Sequence, residues 1–330
     1  MLNAIVVGMG PIGISAARAV EDDPGMKLIG MVDVDPSKLG KTLDEVARKG
    51  KAAGPVVVEK ISEAAKGAHV AIVTTSSKFD RVAPTLSECV RHKLHVASSC
   101  EEMAWPRYLH AKLSDEIDAE AKRGGVGLIG TGVNPGFVMD LLPVVVSSML
   151  SYVTGVKVIR RLDAATRRKP LQEKVGATMT PEHFKGLAAK GAIGHMGIRE
   201  SVALIAAGLG RTVESGSVET TLEPVIAEQE MDSLLGKIKP GMVCGMRNTA
   251  SWSGGNLSIH LDLVMAIGAQ DPQDRVELAG PVPLTAVIPG ATPGDTATVA
   301  SLINCAKMMP KVQPGLKTML DIPPVGCRRM

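Results

Sequence analysis

Residues 4–13 read Ala4-Ile5-Val6-Val7-Gly8-Met9-Gly10-Pro11-Ile12-Gly13. A short apolar run meets a Gly-x-Gly-x-x-Gly turn. The residues that follow, to Asp23, set Ile12, Ala16, Ala19 and Val20 on one helical side. The glycine spacing alone is weak evidence, but between a strand and a helix it is the pattern of a dinucleotide-binding turn. Gly8 permits the tight turn, Gly10 lets backbone approach a pyrophosphate, and Gly13 lets helix and strand pack closely. Pro11 and Ile12 open the helix, whose first N–H groups attract phosphate. Asp33 ends the next strand-like run, KLIGMVDVD, 20 residues after Gly13. A carboxylate there accepts hydrogen bonds from adenosine ribose hydroxyls, which favours NAD. Ser37 and Lys38 lie just beyond and tolerate a 2′-phosphate, so NADP stays open.

Outward from this turn, residues 1–145 alternate strand and helix patterns. HVAIVTT, LHVASS and VGLIGTG read as strands; SKLGKTLDEVARKG, KFDRVAPTLSECVRHK and PRYLHAKLSDEIDAEAKRGG read as helices. Near-continuous apolar strands separated by helices predict an α/β, doubly wound parallel sheet of Rossmann type, covered on both faces. The loops Thr74-Thr75-Ser76 and Ser98-Ser99 then line the crevice at the carboxyl edge of the sheet. Past residue 150 the texture changes. GVKVIRRLD, GSVETTLEPVIAEQEM, GMVCGMRNTASW, LSIHLDLVMAIGA and DRVELAG read as strands, with only TPEHFKGLAAKG and HMGIRESVALIAAGLG helical between them. This predicts an α+β substrate and dimerisation domain over residues 146–295, with a mostly antiparallel sheet. PGDTATVASLINCAKMMP offers Asp295 and Thr296 as N-caps and stops at Pro310. Residues 296–330 form a C-terminal helix and tail expected to pack back on the first domain.

Composition narrows the class. A net charge of +3 is too small to argue for nucleic acid or an anionic membrane. Five cysteines form no CxxC pair and no zinc spacing, so no metal is expected and a reducing cytoplasm fits. No apolar run is long enough to span a bilayer, and the first residues carry no signal-peptide pattern. Aromatics are scarce at 2%, which makes Trp105, Phe137 and Trp252, with Met139, stand out as candidate liners of an aliphatic, adaptable pocket.

Three stretches bear on chemistry. Gly130-Thr131-Gly132-Val133-Asn134-Pro135-Gly136-Phe137 follows the sixth strand, where the chain should arrive near a nicotinamide, and Asn134 offers an amide to its carboxamide. Gly194-His195-Met196-Gly197 leads into a helix, and His195 is a candidate hydrogen-bond donor to substrate. In VASSCEEMAWP, residues 96–106, Glu101 and Glu102 stand side by side at the end of a strand.

GMGPIG, SSCEEMAWP, GTGVNPGFVMD, GHMGIRES and the closing PGDTATVASLIN and PGLKTMLDIP resemble 2,4-diaminopentanoate dehydrogenase and the native NAD(P)-dependent amine dehydrogenases, across essentially the whole chain. The resemblance implies a dihydrodipicolinate reductase-like N-terminal domain, a homodimer, and oxidative deamination of an amine or reductive amination of a carbonyl with ammonia. It places the amine-handling glutamate on the Glu101-Glu102 pair without choosing between them. Such a carboxylate holds ammonium, takes its proton and returns it to the leaving hydroxyl. The neighbouring charge and partial burial would raise its pKa toward neutrality. Dihydrodipicolinate reductase itself fits less well, because its HHxxK motif has no counterpart between residues 160 and 200. The alternatives are a reductase of a related imine or carbonyl compound, or a non-catalytic NAD(P)-binding redox sensor.

Overall fold

The computed structural model describes residues 1–48 and 54–327. Its contacts gather into two compact units, Met1–Phe137 with Pro293–Met330, and Val138–Thr292.

In the first unit the chain runs β1 (Leu2–Val7), α1 (Pro11–Glu21), β2 (Met26–Val32), α2 (Leu43–Ala47), β3 (Val57–Val58), α3 (Ile61–Ala64) and β4 (Val70–Val73). It continues through α4 (Phe79–Arg91), β5 (His95–Ser98), a 3-10 turn (Glu101–Ala104), α5 (Arg107–Gly124) and β6 (Gly127–Gly130). The second unit holds α6 (Leu141–Ser147), β7 (Gly155–Asp163), α7 (Lys169–Lys174), α8 (Pro181–Ala189), α9 (Ile198–Gly208), β8 (Glu219–Ile226), β9 (Met231–Ser233) and β10 (Gly236–Ile238). It ends with β11 (Val243–Gly254), β12 (Leu257–Ala266), β13 (Gln273–Ala279) and β14 (Leu284–Pro289). The chain then returns to the first unit as α10 (Gly294–Met308) and β15 (Gly315–Lys317).

The first sheet has the order β15-β6-β5-β4-β1-β2-β3, with its pairings parallel. β4 is apolar at every position and β1 from Ala4 to Val7, because both faces are covered: Ala4, Ile5, Val6, Val70, Ala71, Ile72 and Val73 are all fully buried. On one face Phe79, Val82 and Leu86 of α4 pack with Ile5, Val73, Val96 and Leu128. The chain winds from β1 toward β2 and then, from β4, in the opposite direction. The switch point therefore lies between β1 and β4, where an open α/β sheet leaves a crevice for ligands.

The second sheet is six-stranded, in the order β14-β13-β7-β12-β11-β8. It is antiparallel except for the parallel β12–β7 pair. In β12, Leu257, Ile259, Leu261 and Leu263 are buried while Ser258 and His260 on the opposite face are more exposed, the alternation of a sheet with helices on one side. The helix α9, whose Val202, Leu204 and Ile205 are fully buried, contacts β11 and β12. Between the neighbouring strands β7 and β13 the sheet carries a buried ion pair. Arg160 bonds Asp274 and also donates to the Thr292 carbonyl at 2.8 Å, while the Thr292 N–H donates to Asp274 at 2.7 Å.

Some local expectations differ from what forms. SKLGKTLDEVARKG is helical only over Leu43–Ala47: Gly40 turns with φ +73°, and Thr42 and Glu45 form a capping box that fixes the start. Residues 49 and 50 of that stretch lie outside the described residues. The C-terminal helix starts at Gly294 with Pro293 at its N-cap, so Asp295 and Thr296 sit in its first turn rather than capping it. The β9–β10 hairpin, β14 and β15 are strands that the sequence patterns did not mark.

Candidate active site

The glycine turn fits its expected task position by position. Gly8 has φ +94°, and a Cβ there would meet the Thr74 backbone at 3.0 Å. A Cβ on Gly13 would sit 1.8 Å from the Gly8 carbonyl oxygen, so helix and turn can approach only without one. A Cβ on Gly10 would meet nothing within 4 Å: this position opens outward. Gly10 caps α1 without a side chain, Pro11 occupies the first turn, and no acidic residue stands there. The first-turn amides of Ile12 and Gly13 have no intrahelical partner and, with the helix dipole, favour an anion.

Asp33 joins this turn directly. Its Oδ2 accepts the Met9 N–H at 2.6 Å and the Lys38 ammonium at 3.0 Å, and its Oδ1 accepts the Asp35 N–H at 2.8 Å. Burial works against its charge, but the Asp35 amide, Lys38 and the Met9 amide together hold its carboxyl below the usual range. Thr74 closes the other side, donating from Oγ1 to the Gly8 carbonyl at 2.7 Å, and the Thr75 methyl lies against the same glycine. Open backbone, free helix amides and an acidic side chain fit a dinucleotide.

Further along the carboxyl edge, hydroxyls mostly serve the loops. Ser76 Oγ accepts the Lys78 N–H at 3.1 Å, and Ser98 Oγ, fully buried, accepts the Cys100 N–H at 3.1 Å. The Ser99 N–H donates to the Val73 carbonyl at 3.0 Å. Asn134 precedes a cis proline, and the adjacent Val133 N–H donates to Thr298 of α10 at 3.3 Å. Phe137 is 38% exposed and Trp105 is half-buried.

The two neighbouring glutamates have separate fates. The 3-10 turn that carries them leaves β5 and packs on β6, where a Cβ on Gly130 would collide with Met103. Glu102 is 7% exposed, and its Oε2 accepts the Phe79 N–H at 2.7 Å. Phe79 is the first residue of α4, which has no side-chain cap of its own, so Glu102 caps and neutralises that helix end from another element. The same oxygen lies 3.2 Å from His110 Nε2. His110 interrupts α5 with φ −132° and ψ 49°, and its ring lies 5.9 Å from that of Phe79. Glu101 precedes this cluster and is only half-buried. Sequence reading missed His110; its spacing of eight residues from Glu102, across a proline, carries no recognisable signal.

In the second unit, His195 Nε2 is buried without a hydrogen-bond partner, although the residue as a whole is half-buried. Burial, then the positive charges of Lys174 and Arg160, push its pKa well below the ordinary imidazole value, so the ring is neutral at pH 7. Met139 is 1% exposed and belongs to the core. Trp252 is half-buried in β11, its ring over Gly254. Asp140 caps α6 through the Leu141 N–H at 2.7 Å and accepts Ser201 Oγ of α9 at 2.9 Å, so its two oxygens lock two helices together.

The model of the 2,4-diaminopentanoate dehydrogenase C-terminal domain matches residues 137–328. The chain belongs to the 2,4-diaminopentanoate dehydrogenase family. It is 28% identical over 332 residues to the 2,4-diaminopentanoate dehydrogenase of Acetoanaerobium sticklandii, across 98% of this chain and 93% of that one. An amine dehydrogenase of Streptomyces virginiae is 25% identical over 174 residues, covering 52% of this chain and 48% of its own length. Among solved structures, an amine dehydrogenase from Mycobacterium smegmatis has a TM-score of 0.86 at 21% identity, over 99% of this chain and 98% of that one. A dihydrodipicolinate reductase from Paenisporosarcina has a TM-score of 0.53 at 12% identity, over 95% and 96% of the two chains. At those identities the structural likeness is one of fold. As a member of this dehydrogenase family the protein is an oxidoreductase that uses NAD(P).

Proposed function

We propose that this protein is an amine dehydrogenase that oxidatively deaminates a small amine and, in reverse, aminates the matching ketone or aldehyde with ammonia. The observation that carries this reading is the pair of carboxylates on the turn that leaves β5, at the carboxyl edge of the parallel sheet: Glu102 accepts the Phe79 N–H and lies beside His110, and Glu101 next to it is half-buried. A bound nicotinamide supplies or takes the hydride. Glu101 accepts a proton from ammonium, freeing the nitrogen lone pair to attack the carbonyl carbon. It then returns the proton to the carbinolamine hydroxyl, which leaves as water and yields the iminium that is reduced. Glu102 is a positioning residue, fixing the turn that aims its neighbour. Asn134 orients the carboxamide, and Trp105 and Phe137 supply apolar surface.

In this reading the protein works as a cytoplasmic homodimer. The free thiols, four of the five buried, suit a reducing compartment. The helix-free face of the second sheet mixes Lys157, Arg247 and Arg275 with Glu223 and Glu277, a pattern that can pair with itself about a two-fold axis. No helix among the described residues is long and apolar enough to cross a membrane.

The test is oxidation of NADH and NADPH across a panel of ketones and aldehydes, with and without ammonium. Consumption that requires ammonium is expected. Consumption indifferent to ammonium would replace this reading with an imine or carbonyl reductase, and none at all with a redox sensor.

A further inference from the structure

The turn that carries the two glutamates is tied to its surroundings by a side chain to which the reading above gives no task. His110 lies on α5, with Nε2 3.2 Å from Glu102 Oε2, the oxygen that also accepts the Phe79 N–H at 2.7 Å. We propose that His110 is a positioning residue of the reaction: through Glu102 it sets the turn on which Glu101 works. The proposal rests on the amine-handling role given to that turn.

The backbone points to His110 first. Its N–H still closes onto the Pro106 carbonyl at 2.9 Å, but φ −132° and ψ 49° leave the helical region, so α5 makes one turn, breaks and resumes. A break of this kind persists only where the surroundings hold it. What it gains is the place of the ring, 5.9 Å from the Phe79 ring and against Glu102. The ties of the turn point the same way. The Glu102 N–H donates to the Ser77 carbonyl at 3.1 Å and its side chain takes the Phe79 N–H, so both ties run to the segment that opens α4. His110 supplies the tie to α5. A glutamate side chain is long and rotamer-rich, and a donor from a second element removes freedom that the first leaves. The two ends of each group are also distinct. Oε2 of Glu102 takes both donors, while Oε1 has no hydrogen-bond partner among the described residues. Nε2 of His110 carries the proton of the shared bond, because an ionised carboxylate only accepts. The His110 side chain is 26% exposed and that of Glu102 9%, so the ring covers the carboxylate on the side from which it approaches. A covered oxygen holds its donors more strongly than one that water can reach.

The experiment compares His110→Phe, His110→Gln, Glu102→Gln and the double variant of His110→Phe with Glu102→Gln, all in the full-length protein. It reads ammonium-dependent amination of the most active carbonyl compound of the panel above, NAD(P)H affinity and thermal unfolding. His110→Phe keeps an aromatic ring beside Phe79 and removes the donor. It should lower kcat about three- to tenfold, short of the ~10²-fold that a displacement of about 1 Å can cost, with the KM for the carbonyl compound and NAD(P)H affinity unchanged. His110→Gln restores an N–H donor and should recover most of that loss. Because His110 acts through Glu102, the double variant should be no slower than the slower of its two single variants. Losses that multiply in the double variant, or a loss that His110→Gln does not recover, would overturn the proposal. So would an unchanged kcat in His110→Phe, and a lowered unfolding temperature beside it would make His110 a residue of the fold alone. These results leave the amine dehydrogenase reading standing. Absence of ammonium-dependent turnover in the unmodified protein would overturn that reading and the role of His110 with it.

Discussion

Two mouths of the same parallel sheet differ in what their residues do. After β1, the mouth is lined by backbone: the glycine turn, the first amides of α1 and the loop of Thr74. After β5, it carries side chains, and Glu101 and Glu102 share a residue type, a turn and a charge yet differ in burial. Glu102 reaches the end of α4 and His110, while Glu101 is half-buried as a residue with its Oε2 enclosed. Where backbone is the ligand, absence of a Cβ is the specification, and it is written in the sequence as glycine. Where a carboxylate is the ligand, its role depends on what else reaches it in three dimensions.

The largest expected effect would break or confirm the contrast within the second mouth. Glu101→Gln keeps shape but removes the proton acceptor, so ammonium-dependent turnover should fall by about 10²–10⁴-fold, roughly 3–5.5 kcal/mol of barrier. NAD(P)H affinity should stay within about threefold. Glu102→Gln leaves an amide oxygen for Phe79 but loses the charge at the helix end and the partner of His110. It should cost about 1–3 kcal/mol of unfolding free energy with turnover changed less than about tenfold. Denaturant unfolding and initial rates on both variants decide. If Glu102→Gln is the one that abolishes turnover while its stability holds, the roles assigned to the two are reversed.

That contrast also marks how much could be read beforehand. The parallel sheet was legible because burial on both faces demands unbroken apolar strands, as in β1 and β4. Asp33 was legible because its distance from the glycine turn follows from the length of one helix and one strand. The pairing of Glu102 with Phe79 and His110 was not, since its three members come from separate elements and meet only after α4 and α5 have packed. Lys38 was visible as a basic residue just beyond Asp33, but its bond to Asp33 depends on loop geometry. The short strands β9, β10 and β15, each of three residues, carry too little pattern to be seen.

A smaller effect sharpens the first mouth. Gly13→Ala places a methyl 1.8 Å from the Gly8 carbonyl oxygen, a contact with backbone that no rotamer relieves. Overpacking of this kind costs about 1–3 kcal/mol. The helix must withdraw from the turn, so cofactor affinity should drop along with stability. Gly10→Ala faces open space on the protein side. It should leave stability within about 1 kcal/mol, the usual scale for a glycine-to-alanine exchange, and damage only cofactor binding, because the approach it blocks is that of the pyrophosphate. Calorimetry without cofactor, beside fluorescence titration with it, separates the two. Equal loss of stability in both variants would mean that Gly10 is structural too.

The smallest expected effect lies at the opposite end of β5, in His95. Its Nδ1 accepts the Gly127 N–H of β6 at 3.0 Å, a bond that only a ring unprotonated at that nitrogen can accept. Burial lowers its pKa below the ordinary value near 6.5. Between the folded and unfolded values the unfolded chain holds a proton that the folded one refuses, so folding is disfavoured as acid is added. The contribution of His95 is therefore fully present above about pH 6.5 and declines as pH falls below it. His95→Gln presents an amide oxygen to Gly127 and does not titrate. Urea unfolding at pH 7.5 should find the variant close to the parent, and by pH 5.5 the parent should have lost more stability than the variant. His195, whose pKa is lowered further, remains in both proteins and adds the same slope to each. The difference between the two curves thus isolates the bond that joins β5 to β6 beneath the glutamate turn. Parallel curves would show that the Gly127 amide does not need His95 neutral, and that the turn's footing is set by packing alone.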